Sequence, residues 1–297
     1  MKIICIAAIA VLCFSCNRKA ALSTNSHPVL NYTDSRGNQQ LLGTHKLSDL
    51  QQAPYAEWFD KNYDSYKTDS VTAEKLKPLV KNKRFEIYMG TWCGDSKREV
   101  PRMYKILAYA GVSPSQIQLV MLDNRDSVYK QSPQHEEKNK NIHRVPDLLV
   151  YENHQELNRI IEYPVTSIEK DLLAILQQQN YQPNYKGAAF LQQLTARGVP
   201  PLSDTTELAN KIKTLVQNAA ELNSLGYVWM AAKETDKSLL AFHLNACLYP
   251  TVANVYDSLG EIYLKLHKKE VAILYYRKVI DIDPKNANAL KMLQQLQ

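Results

Sequence analysis

A disulfide framework is missing from this sequence. Five cysteines occur in 297 residues, and only Cys93 and Cys247 lie beyond residue 16, too few for the stapled scaffold of a small secreted domain. The fold must hold by burial. No apolar run is long enough to span a bilayer: the N-terminal one, Ile3 to Phe14, has twelve residues, against the roughly 20 a transmembrane helix needs. Charge is not concentrated either. The +6 balance is spread over stretches such as KLKPLVKNKR and LKLHKKE, which read as solvated faces, with at most some attraction to an anionic membrane surface. No basic stripe with interleaved aromatics points to nucleic acid. Gly-rich phosphate loops, serine-triad motifs and zinc motifs are absent, so no cofactor and no metal is expected. HEEKNKNIH, with His135, Glu136, Glu137 and His143, matches no established ligand spacing.

What is present starts at the N-terminus. Lys2, the apolar run, Ser15-Cys16 and the polar NRK follow one another, the pattern of an export signal. Ser15-Cys16 resembles a bacterial lipoprotein cleavage site, which implies that Cys16 becomes the lipid-bearing first residue of the mature chain. Cys13, three positions before Cys16, stands where such sites usually carry Leu. A cleaved signal with an incidental cysteine is the alternative. Both place the protein in the periplasm or cell envelope, and the first anchors it to a membrane by lipid.

After the signal, 1–16, residues 17–67 read as a tether and helical extension. Asn17 to Tyr32 is polar and unpatterned, and Pro54 opens a helix in which Tyr55, Trp58, Phe59, Tyr63 and Tyr66 recur at helical spacing. Residues 68–182 alternate: a helix over Thr72 to Lys81, a strand in RFEIYMG, a helix from Ser96 or Lys97 to Ala110, a strand over Ile117 to Asp123, a polar helical segment over Gln134 to Asn141, strands in VPDLLVY and ELNRIIEY, and a helix over Ser167 to Gln179. From the first of these strands the order is β-α-β-α-β-β-α, an α/β fold with a mixed sheet and helices on both faces. Residues 183–218 read as a linker and a docking helix, about Thr205 to Val216.

The last third, 219–297, repeats itself. Leu225 aligns with Leu259, Gly226 with Gly260, Trp229 with Tyr263, Phe242 with Tyr276 and Pro250 with Pro284, each offset by 34 residues. This resembles tetratricopeptide repeats, at about 219–252 and 253–286, with a capping helix over Ala287 to Leu296. Ser238 stands where the repeat usually has Ala. Two repeats need neighbours to complete a core, which is the task expected of the docking helix. A protein partner is the ligand that such an all-α domain implies.

TWCGDS, Thr91 to Ser96, and RVPDLLVY, Arg144 to Tyr151, resemble in that order the active-site turn and the cis-proline loop of the thioredoxin-like family. The resemblance implies a thioredoxin-like fold, with Cys93 as nucleophile, Ser96 where the second cysteine stands, and Trp92, Val145 and Pro146 against a bound polypeptide. A cysteine opening a helix faces unpaired amides and the positive dipole end, which favour thiolate, and the Ser96 hydroxyl is placed to donate to it. Ser96 cannot resolve a mixed disulfide. The buried Asp of thioredoxins, six residues before the cysteine, is replaced by Ile87, with Glu86 on the other face of the strand. Asp95 opposes the thiolate, and Lys97, Arg98 and Arg144 are candidates to offset it. His143 is a further candidate base, and Cys247 in LNACLYP is expected in a core. Two functions follow. One is capture of periplasmic protein thiols in mixed disulfides by Cys93. The other is a non-catalytic scaffold binding a protein or peptide at the envelope.

Overall fold

Residues 30–296 are described by a computed structural model. The signal, Cys16 and most of the tether lie outside them. The chain enters as a hairpin of β1 (Leu30–Thr33) and β2 (Gln39–His45), then runs through α1 (Leu47–Leu50), α2 (Ala56–Ser65), α3 (Ser70–Glu74), β3 (Lys83–Met89), α4 (Gly94–Tyr109), β4 (Ile117–Met121), β5 (Asp147–Glu152), β6 (Gln155–Ile161) and α5 (Ile168–Leu176). Seven helices follow: α6 (Lys186–Thr195), α7 (Thr205–Ile212), α8 (Ala219–Ala231), α9 (Thr235–Leu248), α10 (Ala253–Lys265), α11 (Lys269–Ile282) and α12 (Ala287–Gln295).

The six strands form one mixed sheet in the order β1-β2-β4-β3-β5-β6. β3 is parallel to β4 and antiparallel to β5, while β2 joins the outer edge of β4 antiparallel, Gly43 opposite Met121. Alternation in β3 sends Phe85, Ile87 and Met89 to one face, where they meet Val100, Met103 and Leu107 of α4, Phe59 of α2 and Leu172 of α5. Tyr88 goes to the other face, with Val120, Leu122, Leu149 and Tyr151. Buried on both faces, β3 reads as a nearly continuous apolar run.

Four expectations change here. Leu30 to Tyr32, the end of the expected tether, is strand, and the hairpin it starts lengthens the sheet. The polar segment Gln134 to Asn141 is a chain of turns: His135, Asn139 and Asn141 sit at φ of 57°, 63° and 58°, left-handed values that stop a helix. The second sheet face is therefore covered by that loop, through Ile142 and Val145, instead of by a helix. The helix expected over Thr72 to Lys81 ends at Glu74, because Pro78 lacks an amide and would clash with the Glu74 carbonyl. Finally, the expected linker contains α6.

The helical region is built of close pairs. α8 and α9 repeat α10 and α11, with Gly226 against Phe242 and Gly260 against Tyr276. Ser238 is buried between α8 and α9, and its hydroxyl donates to the Gly226 carbonyl at 2.8 Å, which accommodates serine at a small-residue position. α7 fills the role expected of a docking helix, with Leu208, Ala209 and Ile212 in the same core as Leu222, Leu225 and Leu240. α6 shares it: the buried Glu221 carboxylate of α8 accepts the Ala188 amide at 2.8 Å, one of the unpaired first-turn amides of α6. Ala289, Met292 and Leu293 of α12 close the far end.

Candidate functional site

β3 ends at Met89, and Gly90 to Trp92 turn the chain into α4, whose N-cap is Cys93. The turn is held internally. The Gly90 amide donates to Ser96 Oγ at 3.3 Å, and the Cys93 amide donates to the Gly90 carbonyl at 3.0 Å. Ser96 is fully buried, and no described hydrogen bond joins it to Cys93, so its observed contact braces the turn. Thr91 is tied on the other side, its hydroxyl donating to Gln40 Oε1 at 2.7 Å and accepting the Leu41 amide at 3.1 Å. A cleft of about 510 Å³ opens beyond it, lined by Gln40, Pro54, Tyr55, Trp58, Thr91 and Lys97.

Cys93 is half-buried, and its Sγ donates to the Val145 carbonyl at 3.3 Å. The Val145–Pro146 peptide bond is cis. Two segments 52 residues apart, from Cys93 to Val145, thus meet at the sulfur. Trp92 Nε1 donates to the Leu122 carbonyl at 2.7 Å, and its ring lies 6.4 Å from that of Tyr129. Cys93, Ser96, Trp92, Val145 and Pro146 are therefore brought together around one turn.

Most of the charged candidates are engaged by other partners. Arg98 pairs with Asp95 at 2.7 Å and Glu99 at 2.6 Å, and Arg144 pairs with Glu162 at 3.2 Å. Lys97 lines the cleft. His143 is fully buried; its ring sits edge-on to Tyr185, its Nε2 has no partner, and burial lowers it to about 3, so it stays neutral. Cys247 is exposed rather than in a core, because the inward positions of that last turn of α9 are taken by Leu244 and Asn245.

Lys130, which nothing in the sequence singled out, is buried behind Tyr129. It is 4% exposed, and its Nζ donates to Tyr129 Oη at 2.7 Å and to Ser224 Oγ of α8 at 2.8 Å. Ser224 in turn donates to the His143 carbonyl at 2.7 Å. Burial brings Lys130 down to about 7, and nearby Arg144 adds to the shift; Cys93 and Glu162 act against it. Helices α6 and α8 dock here through further contacts: Arg144 to the Ala220 carbonyl at 2.6 Å, Gln192 to the Asn141 carbonyl at 3.0 Å, and Tyr227 against Tyr129 at 6.5 Å. Among the described residues no group of three or more His, Cys, Asp or Glu side chains is arranged to hold a metal ion.

With the geometry in hand, the helical pair α10–α11 can be compared with known families. The tetratricopeptide repeat model matches residues 253–286. This is the second of the two repeats expected from the sequence, and a protein-binding role for the helical region follows from it. No curated protein matches the chain.

Proposed function

We propose that this chain is an exported, lipid-anchored thioredoxin-like protein whose single cysteine, Cys93, attacks a disulfide of a partner protein, forming a mixed disulfide and freeing the partner's other sulfur as a thiol, with tetratricopeptide repeats holding the partner. The observation that carries the reading is the contact of Cys93 Sγ with the carbonyl before cis-Pro146, 3.3 Å, which is the meeting of turn and loop that the resemblance implies. The order β3-α4-β4-β5-β6-α5 in a mixed sheet supports it as well; the loop that replaces the helix between β4 and β5 is a departure from it. Ser96 cannot attack sulfur, and buried Ile87 offers no proton, so release of the captured partner falls to the thiol that the attack of Cys93 freed on it. Export and the anchor rest on Lys2 to Cys16 alone.

A non-reducing gel of cells tests the reading. Cys93-linked species should appear and vanish in Cys93→Ser, and Cys93 should alkylate far faster than a free thiol at about pH 6. An unreactive Cys93 without covalent partners would refute it. The repeat match favours a second reading, in which sheet and repeats form a non-catalytic scaffold at the envelope. It requires partners to co-purify unchanged with Cys93→Ala, and their loss from that variant counts against it.

A further inference from the structure

We infer that the cleft beside the Cys93 turn takes an acidic side chain of the partner, next to the cysteine that Cys93 attacks, and that Lys97 sets this preference. This rests on Cys93 acting as a nucleophile.

The cleft adjoins the reacting turn on both sides of the cysteine. Thr91, two residues before Cys93, lines it, and so does Lys97, whose amide donates to the Cys93 carbonyl at 3.0 Å. Residues at this helical spacing stand roughly 5–6 Å apart, so an extended chain bonded to the sulfur reaches the cleft within about two residues at ~3.3 Å each. The opposite wall is formed by Gln40 of β2 and by Pro54, Tyr55 and Trp58 where α2 begins. The cis-proline loop leads into β5, on the other side of β3 from β2. A polypeptide that crosses the sulfur from that loop therefore runs toward the cleft.

The chemistry of the walls selects the ligand. Three donors line the cleft and give no hydrogen to a described protein group: the Lys97 ammonium, the Trp58 indole N–H and the Tyr55 hydroxyl. The Tyr55 and Trp58 rings meet edge to face at 6.4 Å, and Lys97 is half-buried on α4. Among the described residues no carboxylate lines the cleft. Asp34 of the hairpin accepts hydrogens from Asn38 and Gln40, Asp95 is paired with Arg98, and Glu57 is exposed outside the lining. Gln40 and Thr91 satisfy each other, so the wall they share is neutral. An ammonium, an indole N–H and a phenol around such a wall suit a carboxylate, and the apolar faces of Pro54 and Trp58 suit the methylenes that carry it. A neutral side chain would leave the ammonium partly desolvated without a partner, and a basic one would meet a like charge.

The test is the rate at which the full mature chain reacts with three peptides that carry one cysteine as its 2-pyridyl disulfide: Glu two residues before the cysteine, Glu two residues after it, or Gln at both places. The Cys93 thiolate bonds to the peptide sulfur, the bond to the pyridyl sulfur breaks, and pyridine-2-thione leaves with a proton from water, read by its absorbance. One Glu peptide should outrun the Gln peptide about threefold at low salt, as a partly exposed ion pair allows. Lys97→Gln should abolish that lead, while alkylation by uncharged iodoacetamide stays at the wild-type rate. Trp58→Phe, which keeps a ring against Tyr55 and removes the N–H, should reduce the lead. Lys285→Gln, exposed between α11 and α12, makes the same change in net charge and should leave it intact. Equal rates for the three peptides, or a lead that Lys97→Gln preserves or Lys285→Gln also removes, overturn the inference while leaving Cys93 a nucleophile. So does a Lys97→Gln protein slowed equally toward iodoacetamide and every peptide, since the lysine then acts on the sulfur alone. A wild-type rate toward the Gln peptide no greater than that of free cysteine at about pH 6 defeats the thiol reading and this inference with it.

Discussion

Gly226→Ala is the substitution that most sharply tests how the repeats are built. In a helix interior alanine is favoured over glycine by about 1 kcal/mol, so propensity alone predicts a gain. The structure predicts a loss. A Cβ at 226 would lie 2.6 Å from Cε1 and 2.7 Å from Cζ of Phe242, far inside contact distance, and Phe242 is fully buried with nowhere to swing. Relief requires α8 and α9 to part, and overpacking of this kind costs about 1–3 kcal/mol. The balance is a net destabilisation of up to about 2 kcal/mol, read as a lower urea midpoint at unchanged slope. Adding Phe242→Leu, which removes the clashing ring atoms, should recover about 1 kcal/mol relative to the sum of the single changes. A Gly226→Ala protein more stable than wild type would refute the close approach. The consequence reaches the site, because Ser224 lies two residues before Gly226 on α8, and any displacement of that helix moves the acceptor of the Lys130 ammonium.

Two further outcomes follow from the fold and from the N-terminus. His143 is lowered to about 3 by burial, while the unfolded chain protonates it near the ordinary 6.5, so the unfolded state binds more protons between those values and stability falls as pH falls through that window. His143→Gln should flatten the acid side of a urea-midpoint-against-pH curve by up to about 1.4 kcal/mol per pH unit; an unchanged slope would contradict the buried, neutral imidazole. Radiolabelled palmitate should be incorporated into the expressed full-length chain and lost in Cys16→Ala, and equal labelling of both would remove the proposed anchor.

Much of the fold was legible because it rests on local pattern. The strands RFEIYMG and VPDLLVY declare themselves by runs of apolar residues, and the 34-residue offset of Gly226 and Phe242 to Gly260 and Tyr276 states a repeat before any helix is seen. β2 was not legible: QQLLGTH buries Leu41 and Leu42 only because the edge of β4 is there to receive it. Cys247 misled in the opposite sense, since apolar neighbours on a helix do not fix which face a residue occupies.

The same division runs through the site. Sequence alone determined that Cys93 opens a helix after a strand, with Ser96 in the first turn of that helix and Ile87 six residues before the cysteine, because those facts depend on spacing along one segment. Only tertiary structure decided how the cations around that turn are held. Lys97, Arg98 and Arg144 were the candidates, the last through its place before Val145-Pro146, yet the charges of Arg98 and Arg144 are taken by Asp95, Glu99 and Glu162, and Lys97 lines the cleft. Lys130, 37 residues after Cys93 in an unremarkable polar stretch, is buried between Tyr129 and Ser224. Whether a lysine is solvated or buried depends on what folds over it, and here that cover is a helix that begins 89 residues further along the chain.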